Sequence, residues 1–209
     1  MCGRYDLSDN PAAIKAKFKV VLAPEFAPNP DLRPTDSAPV VRRAHGSSER
    51  EVALLRWGLV PVWAKNLKFG ARCINARSET IASTPAFRTA YRKRRCLVPL
   101  NAFYEWSGPA GHKVKWRIAL QDEPLFALAG LWEWWKDPAS GQGVETYTIV
   151  TTAANNALAP LHDRMPVIVA EPDYERWLDP EDEARDLLVP FARFHFGHPG
   201  RRVPLGRIT

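Results

Sequence analysis

Cys96-Leu97-Val98-Pro99-Leu100-Asn101-Ala102-Phe103-Tyr104-Glu105-Trp106 is the stretch whose reading decides the fold. Two short runs of apolar and aromatic residues flank Asn101-Ala102, and runs of that length and composition read as strands rather than helices. Downstream, Ser107-Gly108-Pro109-Ala110-Gly111 makes a turn into a segment where Val114, Trp116, Ile118 and Leu120 alternate with polar neighbours, the period of a half-buried strand. Leu125–Trp132 reads as a largely buried strand, the loop 137–143 precedes another at Thr146–Thr152, and Met165–Ala170 returns as a strand. Upstream, Ala38–Arg43 and Glu51–Trp57 pair as a hairpin across His45-Gly46-Ser47-Ser48. Trp57 and Trp63 read as core and rim aromatics.

Helical signals lie outside this β-rich middle. Ser8 or Asp9 can cap a helix with Pro11 in its first turn and an apolar stripe of Ile14, Phe18, Val21 and Leu22. Pro24, Pro28, Pro30 and Pro34 then enforce an ordered loop. Ser78 or Thr80 starts a short helix, and Thr84-Pro85 starts another running through Phe87 and Tyr91 to Arg95. Its Arg92-Lys93-Arg94-Arg95 run reads as a solvated basic helix end, with phosphate contact as the second reading. Ala153–Leu161, Tyr174–Leu178 and Glu183–Leu188 complete the helices. Many short strands in hairpin order with helices segregated from them imply an α+β class: one domain over 1–209, an antiparallel sheet curled toward a barrel, and short peripheral helices.

Composition narrows the function classes. Of 209 residues, 29 are basic and 23 acidic, a net +6 that favours polyanionic partners without identifying one. Arg4, Asp6 and Asp9 interrupt the first ten residues, so no secretory signal is read, and no apolar run is long enough to span a membrane. Three cysteines without C-x-x-C spacing fit a reducing compartment, so a cytoplasmic location is expected, nucleoid-associated in a bacterium. His195 and His198 lack a second ligand pair, so no metal is assigned, and no phosphate-binding glycine loop is present.

The chain begins Met1-Cys2-Gly3-Arg4. Cysteine is small enough for the preceding methionine to be removed, which would leave an amine and a thiol on adjacent carbons. With ordinary pKa values of about 7.7–8.0 and 8.5, a minority of each is nucleophilic near neutrality. An aldehyde would condense with the amine to an imine, and the thiol would close it to a thiazolidine. Other candidates are weaker by pattern. Glu105 projects opposite Tyr104 and Trp106, toward solvent or a cavity, and a buried carboxyl holds its proton more tightly. His162 lies in the loop Leu161-His162-Asp163-Arg164, where an imidazole can shuttle protons, and Asn75 offers a donor and an acceptor in one amide. Arg4, Arg77 and Arg164 each follow Cys2, Asn75 and His162 by two residues, an offset that in extended backbone shares one face and can hold phosphates.

Seven segments carry a family resemblance: Met-Cys-Gly-Arg-Tyr at 1–5, Arg56–Pro61 with Trp63, Asn75–Thr80, Arg95–Pro99, Phe103–Trp106, Ala129–Glu133 and His162–Val167. In this order they resemble the SOS-response-associated peptidase (SRAP) family over most of residues 1–180. The resemblance implies a single SRAP domain that binds single-stranded DNA and traps abasic sites as a thiazolidine on the mature N-terminal cysteine. It implies that Cys2 is the nucleophile, that Asn75 positions the amine or sugar, and that Glu105 handles protons in imine formation and reversal. His162 would assist sugar ring opening, and Arg4, Arg77 and Arg164 would grip flanking phosphates. A self-cleaving activity that removes residues ahead of the cysteine also belongs to the resemblance, and here only Met1 stands there. No cofactor, metal or membrane is implied, and a monomer is expected. Ala102 replaces an expected glycine, and the basic tail 190–209 lacks the family's asparagine-bearing ending, though arginines from Arg193 onward can contact phosphates nonspecifically. Two alternatives stay open: a thiol hydrolase using Cys2 with His162, and a non-covalent module for single-stranded DNA.

Overall fold

The computed structural model describes residues 2–109, 111–192, 195–198 and 201–202, the last two stretches as backbone. Met1, and Arg193 and Arg207 of the basic tail, lie outside the described residues. In chain order the elements are β1 (Tyr5–Leu7), α1 (Pro11–Phe18), β2 (Asn29–Leu32), β3 (Ser37–Arg43), β4 (Arg50–Trp57), β5 (Asn75–Arg77), α2 (Arg88–Lys93) and β6 (Arg95–Leu100). There follow β7 (Ala102–Ser107), β8 (Val114–Ala119), β9 (Phe126–Lys136), β10 (Gly143–Ala153), β11 (Arg164–Pro166), β12 (Ile168–Val169), α3 (Tyr174–Leu178), β13 (His195–His198) and β14 (Arg201–Arg202).

Five strands close on themselves in the order β10-β4-β3-β6-β9 and back to β10, so the curled sheet is a closed barrel. All of its pairings are antiparallel except β10 with β4. A second sheet runs β14-β13-β8-β7-β1-β2. The barrel interior is apolar: Leu55, Val98, Leu128, Tyr147 and Ile149 are fully buried, and each such side chain contributes about 1.5–3 kcal/mol. Every residue of β6 is buried. The reason is that α3 covers its outer face, where the Trp177 indole donates to the Cys96 carbonyl at 2.8 Å.

The two runs flanking Asn101-Ala102 do not form a hairpin with each other. β6 stays in the barrel with β3 and β9, whereas β7 crosses to the second sheet between β1 and β8. Asn101 holds the corner. Its backbone N–H donates to Asp6 O at 2.8 Å, its Oδ1 accepts from Ser8 and Asp9, and its Nδ2 donates to Asp9 Oδ2 and Pro124 O.

Other local expectations shift for physical reasons. Asn10, rather than Ser8 or Asp9, caps α1 by accepting from Ala13 N–H, and left-handed Lys19 ends the helix. Val21 and Leu22 therefore fall beyond the apolar stripe and are exposed. The proline-rich passage contains β2, which pairs with β1. The segment 153–161 forms turns rather than a helix, held by Asn155 accepting from Leu158 N–H. Arg95 is not a solvated helix end: it opens β6 and is buried. The backbone of β13 pairs with β8, so part of the tail is an ordered edge of the second sheet.

Candidate active site

Cys2 sits where the second sheet meets the barrel. β1 pairs with β7 at Tyr5↔Phe103 and Asp6↔Ala102, and Tyr104 N–H donates to Arg4 O at 2.9 Å. Continuing that register carries residues 2 and 3 toward Glu105. From the barrel side, Tyr5 is pinned by a 2.7 Å hydroxyl contact with Tyr147, and both rings flank Trp57. Cys2 is wholly buried and Glu105 nearly so. Burial pushes the Cys2 thiol far above its usual range, and the neighbouring Glu105 carboxylate pushes it further. The resting group is therefore a thiol, whose Sγ is directed at Arg4 O at 4.0 Å.

Asn75 reaches the same place on β5, which lies along β10 in parallel register, Asn75 opposite Ile149. The preceding turn explains why. Gly58 has φ +119°, and a Cβ there would stand 2.7 Å from the Gly70 carbonyl oxygen, so only glycine lets these backbones meet. That closeness permits Leu59 N–H to bond Cys73 O and the Trp57 indole to bond Ile74 O at 2.9 Å, fixing the residue before Asn75. Asn75 Nδ2 then donates to Cys2 O at 2.9 Å. Its Oδ1 is buried and, among the described residues, has no hydrogen-bond donor. An orphaned acceptor costs about 1–3 kcal/mol, and beside Cys2 it is placed to receive an N–H from that residue's nitrogen or from a ligand.

His162 stands on a different element, the turn ahead of β11, where its N–H donates to Leu158 O. Two contacts of its side chain are local. Nδ1 accepts from Arg164 N–H at 2.9 Å and lies 2.7 Å from Asp163 Oδ1. One nitrogen cannot serve both neighbours at once: Nδ1 without a hydrogen accepts from Arg164 N–H, and Nδ1 carrying one donates to Asp163.

The three arginines differ. Arg4 is ion-paired with Asp31 at 3.2 Å, a carboxylate it shares with Arg33 and Lys115, and its guanidinium lies 5.5 Å from the Trp106 ring. Arg77 is exposed and has no ion pair among the described residues. Arg164 is largely buried, donates both terminal nitrogens to Glu79 at 2.5 and 2.9 Å, and also bonds Thr151 O. Arg77 pairs with Thr151 through the backbone, so these two arginines converge on one residue of β10. The Arg164 guanidinium holds the Glu79 carboxyl down to about 2.

The described contacts thus unite Cys2, Asn75 and Glu105, and separately Arg77 and Arg164. Sequence reading missed Asp31, Glu79, Trp57 and the Tyr5–Tyr147 pair as supports of this region. Glu79 carried a signal, an acid within Asn75–Thr80, but nothing local pointed to Asp31.

Comparison with known proteins adds an independent line. The family model described as SOS response associated peptidase (SRAP) matches residues 1–198. Among curated relatives, the abasic site processing protein YoqW of Bacillus subtilis is 37% identical over 197 residues, covering 91% of this chain and 88% of the relative. The abasic site processing protein HMCES of Gallus gallus is 32% identical over 207 residues, with 83% of this chain and 61% of the relative covered. Among solved structures, a Bacteroides thetaiotaomicron protein superposes with a TM-score of 0.83 at 26% identity, over 93% of this chain and 90% of that one. A Bordetella bronchiseptica protein gives 0.80 at 28% identity, over 98% and 100%.

Proposed function

Because this chain belongs to the SOS response associated peptidase family, we propose that it processes abasic sites in DNA, capturing the open-chain aldehyde in single-stranded DNA as a thiazolidine on Cys2. The observation that carries this reading is the convergence on one residue of the Asn75 amide, at the Cys2 carbonyl, and of the Glu105 carboxylate, near its thiol. Once Met1 is removed, by methionine processing or by self-cleavage, the Cys2 nitrogen becomes an amine. That amine attacks the aldehyde carbon, and loss of one water gives an imine. The thiol then adds across the C=N bond, its proton leaving sulfur as the new C–S bond forms and the ring nitrogen regaining one proton.

Each residue has a part. The Asn75 Oδ1 lone pair accepts an N–H of the amine and aims the nitrogen lone pair at the carbonyl, the positioning effect that makes two groups react as one molecule. Glu105 takes the thiol proton that burial otherwise retains, and returns it when the ring reopens. His162 serves ring opening of the sugar, with its Nδ1 held between Arg164 N–H and Asp163 Oδ1. Arg77 is the cation available to a phosphate, whereas Arg4 and Arg164 would first exchange Asp31 and Glu79 for one. Binding to the strand is expected to weaken steeply with salt.

The thiol hydrolase reading is poorer. It pairs Cys2 with His162, whereas the described contacts bring Asn75 and Glu105 to Cys2. Intact-mass analysis of the protein alone and after incubation with an abasic single-stranded oligonucleotide tests the proposal. Expected are a chain beginning at Cys2 and an adduct lighter by one water than the sum of its parts. A chain that keeps Met1 and still forms that adduct would falsify the mechanism.

A further inference from the structure

A cavity of ≈ 600 Å³ opens beside the loop of the β3–β4 hairpin, with Arg43, His45, Ser48, Lys93, Arg95 and Trp132 among its walls. Among the described residues, no carboxylate lines it. It lies at the far end of β4 from Cys2: Arg50 begins that strand at the hairpin, and Trp57 ends it against Ile74. Seven strand steps separate the two ends, about 23 Å.

The charges around the cavity are unevenly matched. Arg43 is met by Asp179 at 3.4 Å and Glu175 at 3.6 Å, and Arg94 by Glu133 at 2.6 Å; none of these acids faces the cavity. Arg95 makes no ion pair within 4.0 Å among the described residues. Its guanidinium is buried between Tyr91 and Trp177, with ring centroids at 5.6 and 5.3 Å, and it donates to the carbonyls of Trp177, Tyr91, Asp179 and Asp182. A guanidinium has five N–H groups, and these bonds use four. Its hydrogen bonds thus all go to peptide carbonyls, and the Asp182 and Asp179 carboxylates offset its charge only through space, so that burial remains the larger effect on it. Lys93, exposed on the same rim, has no ion pair among the described residues.

We propose that this cavity is a phosphate-binding site, separate from the candidate site at Cys2, that takes the phosphate of a nucleotide, free or within a strand. An anion there faces Lys93 and Arg95, with the Ser47 and Ser48 hydroxyls as further donors and the Trp132 indole as an apolar wall for the rest of the ligand. The Arg92-Lys93-Arg94-Arg95 run thereby has a use that the chemistry at Cys2 does not absorb. The inference does not depend on abasic-site capture, since it concerns residues at the other end of the barrel.

The test is a titration of isotopically labelled full-length protein with inorganic phosphate, with 2′-deoxyadenosine monophosphate and with an undamaged single-stranded oligonucleotide, read by amide chemical shifts. All three variants change exposed side chains, and matching spectra away from the changed residue establish that they fold. Shifts at 44–48 and 93–95 are expected with phosphate, with binding read at those amides at least about tenfold weaker in Lys93→Glu, intermediate in Lys93→Gln and unchanged in Lys15→Glu. If the oligonucleotide also moves 44–48 and binds Lys93→Glu more weakly, the phosphate belongs to a strand. If only the mononucleotide does so, the ligand is free. Phosphate that leaves 44–48 and 93–95 unmoved, or moves them equally in Lys93→Glu, overturns the assignment.

Discussion

Cys2 and Cys96 are both wholly buried cysteines, and burial pushes both thiols far above their usual range. Cys96 lies in the barrel wall, mid-strand on β6, so tightly enclosed that a Cβ on Gly130 would stand 2.8 Å from its sulfur. Its carbonyl is taken by the Trp177 indole, and its charged neighbour is Arg42, which partly opposes the effect of burial. Cys2 has Glu105 in the corresponding role, which adds to burial, and Asn75 at its carbonyl. Thiol burial and acidity therefore do not separate the reactive candidate from the inert one. The difference lies in the backbone nitrogen, which can become an amine at position 2 and is a strand amide at position 96, and in the polar groups gathered around it.

The largest effect should come from exchanging the two cysteines for alanine in turn. Cys2→Ala is expected to abolish the adduct with abasic DNA in denaturing gels. Cys96→Ala should retain it within about twofold and cost on the order of 1 kcal/mol in denaturant unfolding for the small cavity left behind. Loss of the adduct in Cys96→Ala would break the comparison.

Asn75→Ala sharpens it next. Removing one positioning amide should slow adduct formation by about 100-fold in single-turnover assays while leaving the product mass unchanged. An unchanged rate would mean that the bond to Cys2 O is merely structural. Trp57→Phe tests how that amide is held. It removes the indole N–H from Ile74 O in the core, so stability should fall by about 1–3 kcal/mol, with a smaller loss of adduct rate than in Asn75→Ala.

The smallest expected effect is at the rim. Arg164 holds Glu79 at about 2 in the folded protein, against about 4.3 for an unperturbed glutamate. A lowered folded value stabilises above the unfolded one, so this contribution is present above about pH 4.3 and disappears as pH falls toward 2. Glu79→Gln should flatten the dependence of Tm on pH across that window only slightly, because the Glu79 side chain is half exposed and solvent screens the pair. A Tm–pH curve identical to that of the unsubstituted protein would place Arg164 outside any charge network of the site.

How much of this was legible beforehand depends on the range of the interaction. Alternation at Val114, Trp116, Ile118 and Leu120 announces β8, and Gly46 within His45–Ser48 announces the β3–β4 turn, because both are properties of adjacent residues. Ala153–Leu161 misled because an apolar, alanine-rich composition suits a helix. Asn155 instead bonds its own chain and turns it, the usual competition of a short polar side chain with regular structure. The Arg92–Arg95 run misled in the opposite way: charge suggested solvent, yet Arg95 is buried because four carbonyls happen to point at it.

The residue types at the candidate site were set by the sequence alone. A cysteine at position 2, the amide of Asn75, the carboxyl of Glu105 and the imidazole of His162 bring their chemistry wherever they are folded. So were the strands, whose period is local. Only the tertiary structure decided that β6 and β7 part company at Asn101, that Asn75 meets Cys2, and that Arg4 and Arg164 are occupied by Asp31 and Glu79. Those partners lie 73, 27 and 85 residues apart in the chain. Their approach depends on closing a barrel and folding a second sheet against it, a consequence of packing many strands at once that no single stretch encodes.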